Sequence, residues 1–333
     1  MATSPPKTVL VTGGAGYVGS ALVPALLDHG CRVNVLDLYL YGTDLFAEQR
    51  GRALTEFPGD IRDPELCVRA LAGVDTVVHL ACISNDPSYD LDPQLGRSIN
   101  FDAFRPLVHA AKRAGVRRFI YASSSSVYGV KTDSAVTEDL PLEPLTDYSK
   151  FKAECETVLA AEREPGFETV IVRPSTVCGY AKRLRLDLVV NILTSHAHHH
   201  RKIRVLGGSQ LRPNIHINDM VALYLRLVDA PAQIVDGEIF NAGFDNFSVM
   251  ELAQMVRHTF GEDVEIETCP SNDPRSYHVC SDKMRTKLGF APQFSVHDAI
   301  ADLKTAFEAG LVPDALNDAL YYNIKRMQQV ALR

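Results

Sequence analysis

Tyr148 and Lys152 stand four residues apart, and Tyr148 lies 24 residues beyond Ser124 in the run Ser123-Ser124-Ser125-Ser126-Val127-Tyr128-Gly129. A Tyr and a Lys at that spacing share one helix face, one turn apart. An ammonium beside a phenol favours the phenolate and lowers the phenol pKa. That would make Tyr148 a general base near neutral pH, where an ordinary Tyr is inert. A serine hydroxyl nearby would hold the substrate oxygen whose proton is removed. These are the parts needed to turn an alcohol into a ketone with a nicotinamide cofactor. Taken alone, the pair is a weak signal, since on an exposed helix it is usually solvated surface; its weight comes from the elements around it.

The first of those elements supplies a cofactor site. Residues 7–12 (KTVLVT) are β-branched and apolar, and they end at Gly13-Gly14-Ala15-Gly16-Tyr17-Val18-Gly19. Val18, Ala21, Leu22, Ala25 and Leu26 then recur at helical spacing. Residues 32–36 (RVNVL) predict a second strand that ends at Asp37. The glycines permit a tight turn and let backbone N–H groups approach a pyrophosphate at the helix N-terminus. Asp37 is placed to accept from the adenosine ribose hydroxyls and would repel a 2′-phosphate, so NAD is expected rather than NADP. A glycine turn without a ligand is the competing reading, and strand, helix and acid in sequence weigh against it.

The remainder of the first half alternates strands (54–57, 75–80, 118–122, 169–172) with helices (99–114, 148–161). Such alternation predicts an α/β fold with a doubly wound parallel sheet. Beyond about residue 179 the rhythm loosens into helices near 186–196, 219–229, 248–259, 281–288 and 296–308, with short strands at 203–205, 214–217 and 238–241. We therefore expect a Rossmann-like NAD-binding domain over 1–179. A smaller α/β lobe for the substrate would span 180–333, with segments exchanged between the two.

Composition narrows the partners. The 333 residues carry a net charge of −7 and show no basic run, which argues against nucleic acid or an anionic membrane. No apolar run approaches a membrane span, and no signal-peptide core is visible, so a cytoplasmic protein is expected. Seven cysteines without a Cys-x-x-Cys read as reduced thiols. His196, His198, His199 and His200 tempt a metal reading. Adjacent histidines on a helix point apart, however, and no Asp, Glu or Cys joins them at ligand spacing, so a solvated helix end is expected and no metal site.

These residues resemble the extended short-chain dehydrogenase/reductase family, in its nucleotide-sugar epimerase/dehydratase branch, over nearly the whole chain. Residues 12–19 resemble the dinucleotide loop, giving Gly13, Gly16, Tyr17, Val18 and Gly19 as cofactor contacts. Asp60 and Ile61 match the pair at the adenine, and His79-Leu80-Ala81 matches the strand end beside the cofactor. Arg173-Pro174-Ser175 matches the backbone at the nicotinamide. Ser124, Tyr148 and Lys152 match the catalytic triad. Asn100 matches the helix asparagine that supports the active-site water and the Lys. The segment from Arg212 to Asp219 resembles one whose Arg binds the substrate diphosphate, with Arg275 as a second cation. Two guanidiniums suit a diphosphate. Asp187 and Asn191 are further candidates for nucleotide or sugar contacts. The resemblance also implies a homodimer through the helices at 101–114 and 148–161.

The departures bear on the reaction. In the family, 4,6-dehydratases carry Asp-Glu after the catalytic hydroxyl residue, and decarboxylases carry Glu in the second of those positions. Here both are hydroxyls, Ser125 and Ser126. A hydroxyl with an ordinary pKa cannot take a C5 proton. The resemblance therefore implies a 4-epimerase acting through a transient 4-keto sugar, with Ser126 against the sugar. The segment 82–89, with Ser84 and Asn85, departs from well-known epimerases where it should cover the sugar, and Thr176 replaces their usual Asn. Cys82 reads either as a packed thiol or as the acid or base of a C3 or C5 epimerisation. A net oxidoreductase or dehydratase, and a non-catalytic NAD-sensing module, are the rival readings.

Overall fold

The structure is a computed structural model describing residues 6–131, 133, 135–270, 278–330 and 332. Strand β1 (Thr8–Thr12) runs into helix α1 (Tyr17–Asp28), then β2 (Arg32–Asp37), β3 (Leu54–Pro58), α2 (Pro64–Ala70) and β4 (Thr76–His79). Short helices α3 (Asp86–Tyr89) and α4 (Pro93–Arg97) precede α5 (Phe104–Arg113) and β5 (Arg118–Ala122). Helix α6 (Asp147–Ala161) and β6 (Glu168–Pro174) follow. Seven strands form one parallel sheet in the order β10-β6-β5-β4-β1-β2-β3, where β10 is Glu238–Ala242. This is the doubly wound fold that the alternation predicts. Strand order reverses between β1 and β4, and open α/β sheets bind ligands in the crevice at such a switch point.

Successive residues of a strand face opposite sides, and β1 shows it. Val9 and Val11 join the core that contains Leu22, Val172 and Phe240, whereas Leu10 joins the core of Leu107, Phe119 and Leu159. Both faces are covered by helices, which is why the central strands read as unbroken apolar runs.

Beyond β6 the chain forms β7 (Thr176–Cys178), α7 (Val189–His200), β8 (Lys202–Leu206), β9 (Leu211–His216), α8 (Ile217–Asp229) and α9 (Ala232–Val235). After β10 come β11 (Asp245–Ser248), α10 (Val249–Phe260), β12 (Glu265–Cys269), α11 (Asp282–Leu288), α12 (Val296–Glu308) and α13 (Asn323–Val330). A three-stranded sheet β11-β9-β7 and the pair β12-β8 lie outside the main sheet. Helix α8 returns to the first layer, where Leu223 and Leu227 share a core with Leu22 and Leu26 of α1.

Two elements differ from expectation. The helix expected over 99–114 opens as a π-helical turn, Ser98–Asp102, before α5 begins. Pro106 has no N–H to give the carbonyl of Asp102, so a regular α ladder cannot run through it. Helix α7 begins at Val189, not 186, because residues 183–188 are non-helical. Among the described residues no helix is long and apolar enough to cross a membrane. All seven cysteines are unpaired.

Candidate active site

A cavity of about 370 Å³ opens at the carboxyl ends of the central strands and takes in both the glycine loop and the Ser-Tyr-Lys set. Gly13 has φ +72°, and a Cβ there would lie 2.5 Å from the Ala81 backbone nitrogen. Glycine is therefore required both by conformation and by the close approach of β1 and β4. Asp37 closes the loop from the next strand: its carboxylate accepts from Ala15 N at 2.9 Å and from Tyr39 N at 2.7 Å. Burial pushes the Asp37 carboxyl up, against the pull of those two N–H groups and of Arg183. Gly16, Val18, Gly19, Asp60, Ile61, Leu80, Ala81 and Pro174 line the same cavity. Tyr17 lines it too, but its hydroxyl turns away to the segment after β7, donating to Gly179 O at 2.5 Å and accepting from Asn191 at 3.2 Å.

At the other end, β5 delivers Ser124, whose hydroxyl caps the short turn Ser125–Tyr128 and lies 2.8 Å from the Ser126 hydroxyl. Helix α6 delivers Tyr148 and Lys152. Its N-terminus is fixed by a capping box between Thr146 and Ser149, and the Thr146 hydroxyl donates to Asp86 at 2.5 Å. Behind the helix, Glu156 pairs with Arg173 of β6 at 2.6 Å, and both are buried. The Ser124 hydroxyl lies close enough to the Tyr148 phenol to favour its ionised form, so the two hydroxyls that the chemistry needs converge.

The expected effect of Lys152 on Tyr148 needs correction. Burial pushes the Tyr148 phenol well up, and the neighbouring Cys82 and Asp86 side chains act in the same direction, while Arg185 and the Ser124 hydroxyl oppose it. Lys152 donates to Ala122 O at 2.7 Å, with Nζ 5.9 Å from the centre of the Tyr148 ring. The desolvation of a buried phenol outweighs an ammonium held at that distance.

Asn100 also differs from its expected role. Its amide is used by one residue, accepting from Ile83 N at 2.8 Å and donating to Ile83 O at 2.9 Å, while its own carbonyl accepts from Cys155. It fixes the segment that carries Cys82 and Ser84 and does not itself line the cavity. It is a positioning residue.

Of the expected substrate contacts, Ser84, Asn85, Ser125, Ser126 and Thr176 line the cavity. Asp187, Asn191 and Arg212 do not. Asp187 pairs with Arg185 at 2.9 Å. Asn191 is fully buried and spends its amide on Gly179 N, Arg185 O and Tyr17. Arg212 lies on β9 and donates to Leu211 O at 3.0 Å. Arg275 lies outside the described residues. The histidine tract closes α7, where His198 stacks on Phe307 at 5.2 Å, and no metal-holding cluster occurs among the described residues.

Among the lining residues that escaped the sequence reading are Tyr41, Arg183, Arg185 and Asn323. A signal was present. Arg183, Arg185 and Asp187 alternate with Leu184, Leu186 and Leu188, the period of an extended segment with one polar and one apolar face. Arg185 donates to Ser84 at 3.1 Å, and Asn323 donates to the same hydroxyl at 3.0 Å.

Residues 9–243 match the model of the NAD dependent epimerase/dehydratase family, and the chain belongs to that family. It is 28% identical over 315 residues to a UDP-glucose 4-epimerase of Lactobacillus helveticus, covering 88% of this chain and 94% of that one. It is 31% identical over 306 residues to a dTDP-glucose 4,6-dehydratase of Streptomyces griseus, covering 88% and 92%. Among solved structures, MoeE5 in complex with UDP-glucose and NAD matches with a TM-score of 0.81 and 28% identity, covering 91% of this chain and 99% of that one. The chain is thus an enzyme of the NAD-dependent epimerase/dehydratase class, with NAD as its cofactor. The glycine loop that lines the cavity and Asp37 at the end of β2 fit that cofactor.

Proposed function

We infer that the protein is a nucleotide-sugar 4-epimerase. The observation that carries this reading is the hydroxyl character of the turn after β5: Ser124, Ser125 and Ser126 face the cavity where a dehydratase needs an acid–base carboxylate pair. Asp86, whose charge Tyr148 feels, already accepts from the Thr146 hydroxyl. That leaves proton transfer at an oxygen, by Tyr148, as the chemistry best served by these side chains.

Tyr148 takes the proton of the C4 hydroxyl, and Ser124 holds that oxygen as it becomes a carbonyl. Lys152, anchored on Ala122 O, keeps positive charge at the base of the site. NAD, when bound, would supply the hydride acceptor and donor and a positive ring that favours the phenolate. Ser84, Asn85, Ser125, Ser126 and Thr176 are assigned to the sugar; Arg212, outside the cavity lining, and Arg275 are assigned to the substrate diphosphate on the family resemblance alone. After the keto sugar turns, Tyr148 gives its proton back to the C4 oxygen while C4 would regain hydride on its other face. The same reading takes the protein to be cytoplasmic and homodimeric through α5 and α6, where Phe151 of α6 and Phe101 of the turn before α5 stay half-buried with ring centroids 5.1 Å apart.

Incubation with UDP-glucose and UDP-glucuronate tests the reading. A C4 epimer of unchanged mass is expected from one of them, and none from Y148F. A second reading, C3 or C5 epimerisation with Cys82 as acid or base, has one observation in its favour. Cys82 lines the cavity close enough to act on Tyr148.

A further inference from the structure

Arg183 is 97% buried, being 3% exposed, yet it forms no ion pair among the described residues. Its guanidinium lies over the Tyr41 ring, 3.6 Å from the centroid, and one nitrogen donates to Asn323 Oδ1. Nε and Nη1 have no hydrogen-bond partner among the described residues. A buried guanidinium with unmet donors is costly unless an anion completes it. Arg183 also lines the cavity. The other two cations of the lining are engaged: Lys152 with Ala122 O, and Arg185 with Asp187.

Its position selects the anion. The backbone N–H of Arg183 donates to the Ser20 hydroxyl, in the first turn of the helix that follows the glycine loop. Its charge reaches Asp37, at the ribose end. Arg185, two residues on, is the cation that acts on Tyr148 and holds Ser84, at the sugar end. The glycine loop offers a diphosphate only N–H dipoles, with no positive side chain. We propose that Arg183 is the counter-charge of the dinucleotide diphosphate, held against the cavity by Tyr41 and Asn323. Asn323 ties this contact to the substrate end, because its amide nitrogen donates to Ser84. The proposal rests on the cofactor and not on which reaction follows.

Calorimetry on the full-length chain freed of nucleotide tests it, with ADP-ribose, adenosine and UDP as probes. The variant R183M removes the charge and keeps an apolar stem on Tyr41; R183K keeps a charge. A charged hydrogen bond of this kind predicts ADP-ribose binding about 10- to 100-fold weaker in R183M, partly restored in R183K. Adenosine and UDP binding should stay within about twofold, and nucleotide-free R183M should melt no lower than the wild type, since it loses an uncompensated buried charge. Unchanged ADP-ribose affinity would overturn the proposal. So would a loss that falls on UDP, which would assign Arg183 to the substrate diphosphate, or a lower melting temperature without nucleotide, which would make it a structural residue.

Discussion

Tyr148 is the residue on which the chemistry turns, and its environment makes a directional statement. The chain's own groups hold the phenol up, through burial first and then Cys82 and Asp86. A base with a raised pKa is more active as pH rises, so single-turnover rates should climb from neutral to alkaline pH. Rates that fall over this range would remove Tyr148 from the role of base. Y148F should lower turnover by about 10²- to 10⁴-fold while ADP-ribose binding stays as in the wild type, because a general base acts on the rate and not on the cofactor. The residues that carry the chemistry were legible because their signals are local: a four-residue spacing, a serine run, glycines between a strand and a helix. Arg183 and Arg185 carried only the weaker signal of polar–apolar alternation, and Asn323 carried none. Arg183 and Asn323 are 140 residues apart and meet only because the chain folds α13 back over the cavity. The effect of Lys152 was misread for a related reason: spacing gives proximity along a helix, while the pKa of Tyr148 is decided by how far the fold removes it from water.

At the scale of elements, two devices hold the catalytic set in place. Glu156 and Arg173 bind the centre of α6 to β6, with Ser123 donating to the same carboxylate. Breaking a buried pair from one side leaves an unpaired charge, so R173M should cost about 3–5 kcal/mol in denaturant unfolding. A cost below about 1 kcal/mol would mean that the pair is not what anchors the helix. Asn100 is the second device. N100A strands the N–H and the carbonyl of Ile83 and should cost about 1–3 kcal/mol for each buried group left unmet. It should also raise KM more than it lowers kcat if Ser84 and Asn85 do face the sugar. The strands of the main sheet were readable because parallel strands buried on both faces are runs of apolar, β-branched residues. The π-helical turn around Asn100 was not, although Pro106 marks where a regular helix must break.

For the molecule as a whole, a buried polar group in the central sheet sets an acid limit. His79, at the end of β4, contacts the Thr12 hydroxyl at 2.7 Å, and burial lowers its pKa to about 3. The unfolded chain takes up this proton near pH 6.5, whereas the folded chain does so only near pH 3. Stability therefore falls as pH drops through that window, by a few kcal/mol at most for this group. H79F should flatten the acid side of the pH–stability curve; an unchanged curve would mean that other groups set it.

The most direct test of the epimerase reading is to incubate the protein with NAD and a panel of nucleotide sugars in heavy water and to weigh the products. A C4 epimer without carbon-bound deuterium is the result this account predicts, since the hydride leaves and returns without touching solvent. Deuterium at carbon would contradict it and bring Cys82 forward as an acid or base, and loss of water or accumulation of NADH would contradict it outright.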